Sequence, residues 1–159
     1  MASKMNMNLK NKNSGFTMIE LMIVLVVLAI VASVAMMSGL AARVRANEGN
    51  AQAALKTIAA GSEMYLNNQG IYASNLATLG SDYIPSDLVA GQKSGYTFEL
   101  KTANAGATFT ATAVPVSMSY TGVRSFCINN LNAINVYTSQ PALSADGTNC
   151  PSGGNTLSG

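Results

Sequence analysis

"FTMIELMIVLVVLAIVASVAMMSGLAARVRANEGNAQAALKTIAAGSEMYLN", residues 16–67, contains no proline and reads as one helix with two different halves. Residues 21–42 carry no charge, enough to cross a bilayer core of about 30 Å at about 1.5 Å per residue. The helical composition does not stop at Ala42. Alanine is the commonest residue of 43–67, and Leu55, Ile58, Ser62 and Tyr65 recur at i, i+3, i+7 and i+10, the stripe of an amphipathic helix. The spacing predicts a single rod on the order of 75 Å long, apolar all round in its first half and one-sided in its second. Gly39, Gly49 and Gly61 are its weak points, each costing about 1 kcal/mol relative to alanine. "NNQG" at 67–70 supplies the polar, glycine-bearing stop.

One residue does not suit a membrane span. Glu20 is the sole charge between Phe16 and Arg43, about one turn into the apolar run. A carboxylate there costs several kcal/mol unless it is paired or neutralised, so function is the default reading; an acid at the headgroup level of an ordinary signal anchor is the alternative. "SVA" ending at Ala35 has small residues suited to signal peptidase I, but that would give an apolar region too long for a secretory signal and leave the acid without purpose.

The remainder excludes several functions. The net charge of +2 comes from Lys4, Lys10 and Lys12 in the polar leader, since 6 Lys or Arg face 7 Asp or Glu from Phe16 onward. The three leader lysines place the N-terminus in the cytoplasm, with Arg43 and Arg45 weakening the asymmetry. No clustered basic face suggests nucleic acid. With no His in the chain, there is no His base and no His ligand, and Ser and Thr have no base beside them in any motif. The tyrosines are spread through the head and suit packing, and Arg43, Arg45 and Glu48 suit a solvated or headgroup-facing patch. Two cysteines, Cys127 and Cys150, both fall in the part predicted to lie outside. They suit a disulfide in an oxidising compartment, with free thiols as the alternative; that Cys127 alternates with Phe126 and Ile128 favours the crosslink.

Past residue 70 the vocabulary changes to Gly, Ser, Thr and Asn. A long connection, 71–95, holds a helical turn near 75–79 and a turn at Pro85. "YTFELK", "ATFTATAVPV", "RSFCIN" and "AINVYT" then alternate as strands, predicting a three- or four-stranded antiparallel meander packed on the amphipathic half of the helix. The final stretch reads as loop or tail, tethered at Cys150.

The junction "GFTMIEL", Gly15 to Leu21, following a basic leader, resembles the class III signal of type IV pilins and pseudopilins. The likeness is close over the leader and about the first 30 residues after it, and architectural beyond. It implies cleavage after Gly15 by a prepilin peptidase on the cytoplasmic side and N-methylation of the new terminus at Phe16. It also implies that Glu20 attracts the Phe16 amine of a neighbouring subunit, which sets the register of a filament whose core is built from the apolar helices. The cysteine pair is similar to the disulfide-bounded C-terminal region of many pilins. Two departures stand out. Pilins commonly carry a proline about a third of the way along the helix, where this chain has "MMSGLAA", leaving Gly39 as a softer hinge; and pseudopilins often carry a C-terminal acidic calcium loop, where the last 58 residues here hold only Asp146.

The expectation is therefore an α+β pilin fold. Residues 1–15 are a cleaved leader, 16–42 the transmembrane and filament-core half of the helix, and 43–159 the head. The head comprises helix 43–67, loop 68–95, sheet 96–138 and a disulfide-tethered loop 139–159. The expected function is structural, a subunit of a bacterial type IV pilus, first single-pass in the inner membrane and then in the surface filament. Its partners would be copies of itself, the prepilin peptidase, the assembly platform in the inner membrane, and the membrane before assembly. No enzyme activity, cofactor, metal or small-molecule substrate is expected. A pseudopilin of type II secretion is the alternative within the same machinery, and a single-pass membrane-anchored binding protein is the alternative outside it.

Overall fold

The computed structural model describes residues 15–138 and 145–156, and at 35–38 the backbone alone. Leader residues 1–14 and parts of the C-terminal loop lie outside the described residues. The chain divides into two units after Ser38.

The helix α1 spans Met18–Gln69, starting and ending within two residues of the predicted bounds. Its backbone is helical at Gly39, where the softer hinge was expected. In the first unit every described side chain from Phe16 to Val34 is exposed. Isoleucine, leucine and valine at 50–66% exposure over residues 19–34 are what a helix shows when its burial is supplied by something other than its own chain.

In the second unit α1 turns one face inward. Ala51, Ala54, Leu55, Ile58, Ala59 and Ser62 are buried, and Tyr65 packs at the margin, so the predicted stripe is the observed one. Gly61 is no mere weak point. A Cβ there would stand 2.7 Å from Ile84 Cγ2 and 2.8 Å from the Tyr83 carbonyl oxygen, so its missing side chain lets the connection pack directly against the helix.

The connection is more structured than predicted. It holds α2 (Leu76–Leu79), capped by the Asn75 side chain accepting from the Thr78 N–H, α3 (Ser86–Val89) directly after Pro85, and strand β1 (Gln92–Lys93). The strands β2 (Tyr96–Ala103), β3 (Thr108–Pro115), β4 (Arg124–Asn129) and β5 (Ile134–Thr138) are the four read from the alternation. With β6 (Asn155–Thr156) they form a six-stranded antiparallel sheet in the order β1-β2-β3-β4-β5-β6. The expected three or four strands are thus corrected to six. The two additions are two-residue edge strands, too short to show a period of two in sequence.

Register places Phe98 opposite Ala113, Ala113 opposite Phe126, and Ala111 opposite Ile128. These residues form the core with the alanine-rich face of α1. The other face is covered as well, which the alternation did not predict: Thr110, Thr112, Ser125 and Cys127 are all buried. The C-terminal segment lies over them. Cys127 and Cys150 are bonded, with Cα atoms 5.7 Å apart, Tyr137 donates its hydroxyl to the Pro151 carbonyl, and Gly147 N–H donates to Thr110 Oγ1. Asp146 Oδ1 accepts from the N–H groups of Thr148 and Asn149. Threonine suits this second layer, because its hydroxyl can bond a loop backbone that a larger apolar side chain would push away, as Thr110 does with the Gly147 N–H.

Closing the 23-residue separation stabilises by about 3 kcal/mol on the chain-entropy estimate. Cys150→Ser should therefore lower the melting temperature of the detergent-solubilised protein by on the order of 10 °C and open the amides of residues 145–156 to exchange. An unchanged melting curve would mean that the hydrogen bonds hold the segment without the crosslink.

Candidate functional site at the helix start

Gly15, Phe16 and Thr17 precede α1 without regular structure. Gly15 is exposed and a Cβ on it would meet nothing within 4 Å, while Phe16 is 87% exposed. The Gly15–Phe16 bond therefore lies in an irregular, open stretch immediately before the helix, the kind of backbone a protease can draw into an extended conformation.

Thr17 and Glu20 make a capping box. Glu20 Oε2 accepts from Thr17 N–H at 2.9 Å and from Thr17 Oγ1 at 2.7 Å, and Glu20 N–H donates to Thr17 Oγ1 at 3.3 Å. Each residue satisfies a backbone donor that the first turn of a helix leaves without an intrahelical partner. The carboxylate also sits where the helix dipole favours negative charge. The signal was present in the sequence as "TMIE", the T-x-x-E pattern, yet the surrounding apolar run drew attention to Glu20 as a misplaced charge. Oε1 accepts no hydrogen bond among the described residues, so the cap occupies one oxygen of the two. The Thr17 N–H belongs to the peptide after Phe16, so the box survives a cut at Gly15.

A second arrangement was missed. Glu48 is not solvated; it is 4% exposed. Its Oε1 accepts from the N–H groups of Val123 at 3.0 Å and Arg124 at 3.1 Å, and its Oε2 from Arg124 Nε at 2.9 Å and Nη2 at 2.6 Å. Burial pushes its carboxyl up, but the Arg124 guanidinium and the two N–H donors outweigh it and hold the group below its ordinary 4.5. Asn47 Nδ2 donates to the Thr121 carbonyl at 3.0 Å, and Tyr96 donates its hydroxyl to the Arg124 carbonyl at 2.8 Å. Gly122 permits this, since a Cβ there would overlap the Tyr96 hydroxyl. Helix and sheet are thus joined by polar contacts 74 to 76 residues apart in sequence, a pairing that no local pattern announces. Arg43 and Arg45, by contrast, are exposed as expected.

Among the described residues no group of three or more His, Cys, Asp or Glu could hold a metal.

Residues 10–36 match the prokaryotic N-terminal methylation motif. The chain is also similar to the type IV wide pilus major component PilA4 of Thermus thermophilus, 45% identical over 65 residues, which make up 41% of this chain and 50% of that protein. The chain spans about half the length of the curated relative it matches. The matched motif lies across the capped helix start, and the helix-on-sheet head behind it is the architecture which that start implied. In motif, relative and fold together, the chain is similar to the type IV pilins.

Proposed function

We propose that this chain is a subunit of a type IV pilus, made as a membrane-anchored precursor, cleaved after Gly15 and methylated at Phe16. The observation that carries the proposal is the helix start, an open Gly15–Phe16 bond followed directly by a capped helix whose side chains are all exposed as far as Val34 and, Glu20 and Ser33 apart, apolar. In the precursor those side chains face lipid. In the filament the helices of neighbouring subunits replace the lipid, and the filament core is built by that packing.

Glu20 tolerates both settings through its two oxygens. Oε2 is held by the cap. After cleavage the new Phe16 amine lies one residue before the capping N–H, so the lone subunit has a cation at hand to offset the acid in the bilayer. During assembly the amine of an adjacent subunit takes Oε1, and the ion pair selects the stagger between subunits. The cap fixes the carboxylate's position beforehand, which lowers the ordering cost of making that pair. Prepilin peptidase, the inner-membrane assembly platform and further copies of the chain are the partners this sequence of events requires.

Shearing cells and collecting the filaments tests the proposal. The sheared fraction should contain this chain in bulk, visible as long fibres by electron microscopy. Recovery of the chain only in the membrane fraction, with fibres free of it, would contradict a pilus subunit and favour a short pseudopilus.

A further inference from the structure

The loop joining β3 to β4, residues 116–123, exposes apolar side chains on a hydrogen-bonded backbone. Val116, Tyr120 and Val123 are 61%, 69% and 47% exposed. The loop is closed on itself by Thr121 N–H to the Ser117 carbonyl at 2.9 Å, Ser117 N–H to Thr121 Oγ1 at 3.0 Å, and Ser119 N–H to the Gly122 carbonyl at 2.9 Å. It is also fastened to α1 by Asn47 and Glu48. Val44, one turn earlier on that helix face, is buried, so the head covers α1 down to two residues past Ala42, the last residue of the uncharged stretch.

Depth follows from these anchors. Asn47 is five residues beyond Ala42, about 8 Å along a helix axis at 1.5 Å per residue, comparable with a headgroup layer of roughly 5–8 Å on each side of the bilayer core. The charges nearby have the matching sign. Arg43 and Arg45 are exposed, and the acid beside them, Glu48, is already paired with Arg124. Exposed tyrosine with aliphatic neighbours above a cationic collar is the composition of a bilayer interface.

We propose that the β3–β4 loop is a foot on which the head rests against the outer leaflet before assembly, with Tyr120, Val116 and Val123 in the headgroup layer and Arg43 and Arg45 on lipid phosphates. The foot holds the head in one tilt, so subunits reach the growing filament already oriented. The proposal rests on the membrane-anchored precursor described above.

The chain has no tryptophan, so single tryptophans report depth without background. Ile30→Trp, Tyr120→Trp and Leu131→Trp would each be placed in the full chain and reconstituted in vesicles of anionic and zwitterionic lipid with brominated acyl chains. Leu131 is 75% exposed but lies beyond the far end of β4, about 20 Å from Arg124 at 3.3 Å per residue. Ile30→Trp should be strongly quenched. Tyr120→Trp should be quenched at least about twofold more than Leu131→Trp, with blue-shifted emission, because interfacial aromatics sit at headgroup depth. Quenching at residue 30 with residues 120 and 131 alike overturns the foot and leaves the anchor standing. No quenching at residue 30 overturns the anchor, and the foot with it. Tryptophan at 120 that is water-exposed in vesicles and shielded only in sheared filaments assigns the patch to a neighbouring subunit, which also overturns the proposal.

Discussion

Glu20→Gln is expected to abolish filaments while leaving the precursor in the membrane and cleaved at Gly15. Glutamine at the third helical position still serves a capping box, since its amide oxygen accepts the Thr17 N–H as the carboxylate oxygen does. The change therefore removes the charge and keeps the cap. Glu20→Ala removes both, and on its own it could not tell an assembly ion pair from helix capping, which is worth about 1 kcal/mol. If the ion pair sets the register, Gln and Ala fail alike, with filament yield down at least about tenfold, the equivalent of only about 1.4 kcal/mol per subunit contact. Thr17→Ala, which loosens the cap and leaves the charge, should be the mildest of the three. Normal piliation by Glu20→Gln would reduce Glu20 to a capping residue and remove the register mechanism.

The largest effect on the head is expected at Glu48. Glu48→Ala deletes all four hydrogen bonds of the buried carboxylate and leaves the N–H groups of Val123 and Arg124 without their partner. Breaking such a buried pair costs on the order of 3–5 kcal/mol, or more than 10 °C in melting temperature for a domain of this size. Arg124→Ala should cost less, about 2 kcal/mol, because the arginine side chain is 39% exposed and Glu48 keeps its two backbone donors. The pH dependence has a fixed sign. A carboxyl held below 4.5 in the folded state contributes stability that is present above the unfolded value and is lost as pH falls through the lower folded one. Thermal melts from pH 7 to pH 3 should therefore show a gap between the native chain and Glu48→Gln that is constant near neutrality and shrinks below about pH 4.5. Equal melting temperatures at pH 7 would show that the pair contributes nothing net.

What the sequence made legible was whatever repeats at short range. The stripe Leu55, Ile58, Ser62, Tyr65 and the alternation in β2, β3, β4 and β5 are periodic, and period reports which face is buried. The Gly15–Phe16 junction was legible as a motif. The two short edge strands carry no period. Gly61 looked like a weak helix position because the Tyr83–Ile84 turn that needs its missing Cβ is 22 residues away. Glu48 looked solvated because its partner is 76 residues distant. The second buried layer was hidden by its own chemistry, since the threonines of β3 look like an exposed face until a loop backbone is laid over them. Thr17 is a different kind of miss. Its pattern was local and visible, but Glu20 already had a membrane explanation, and the cap turns out to be compatible with it.

In the proposed assembly, Glu20 becomes a contact because cleavage after Gly15 places a free cation at Phe16. Intact mass spectrometry of the chain from sheared filaments tests this most directly. The polypeptide should begin at Phe16 and carry one N-methyl group, with no trace of residues 1–15. A filament subunit that begins at Met1, or at Met36 after a cut behind Ala35, would contradict it.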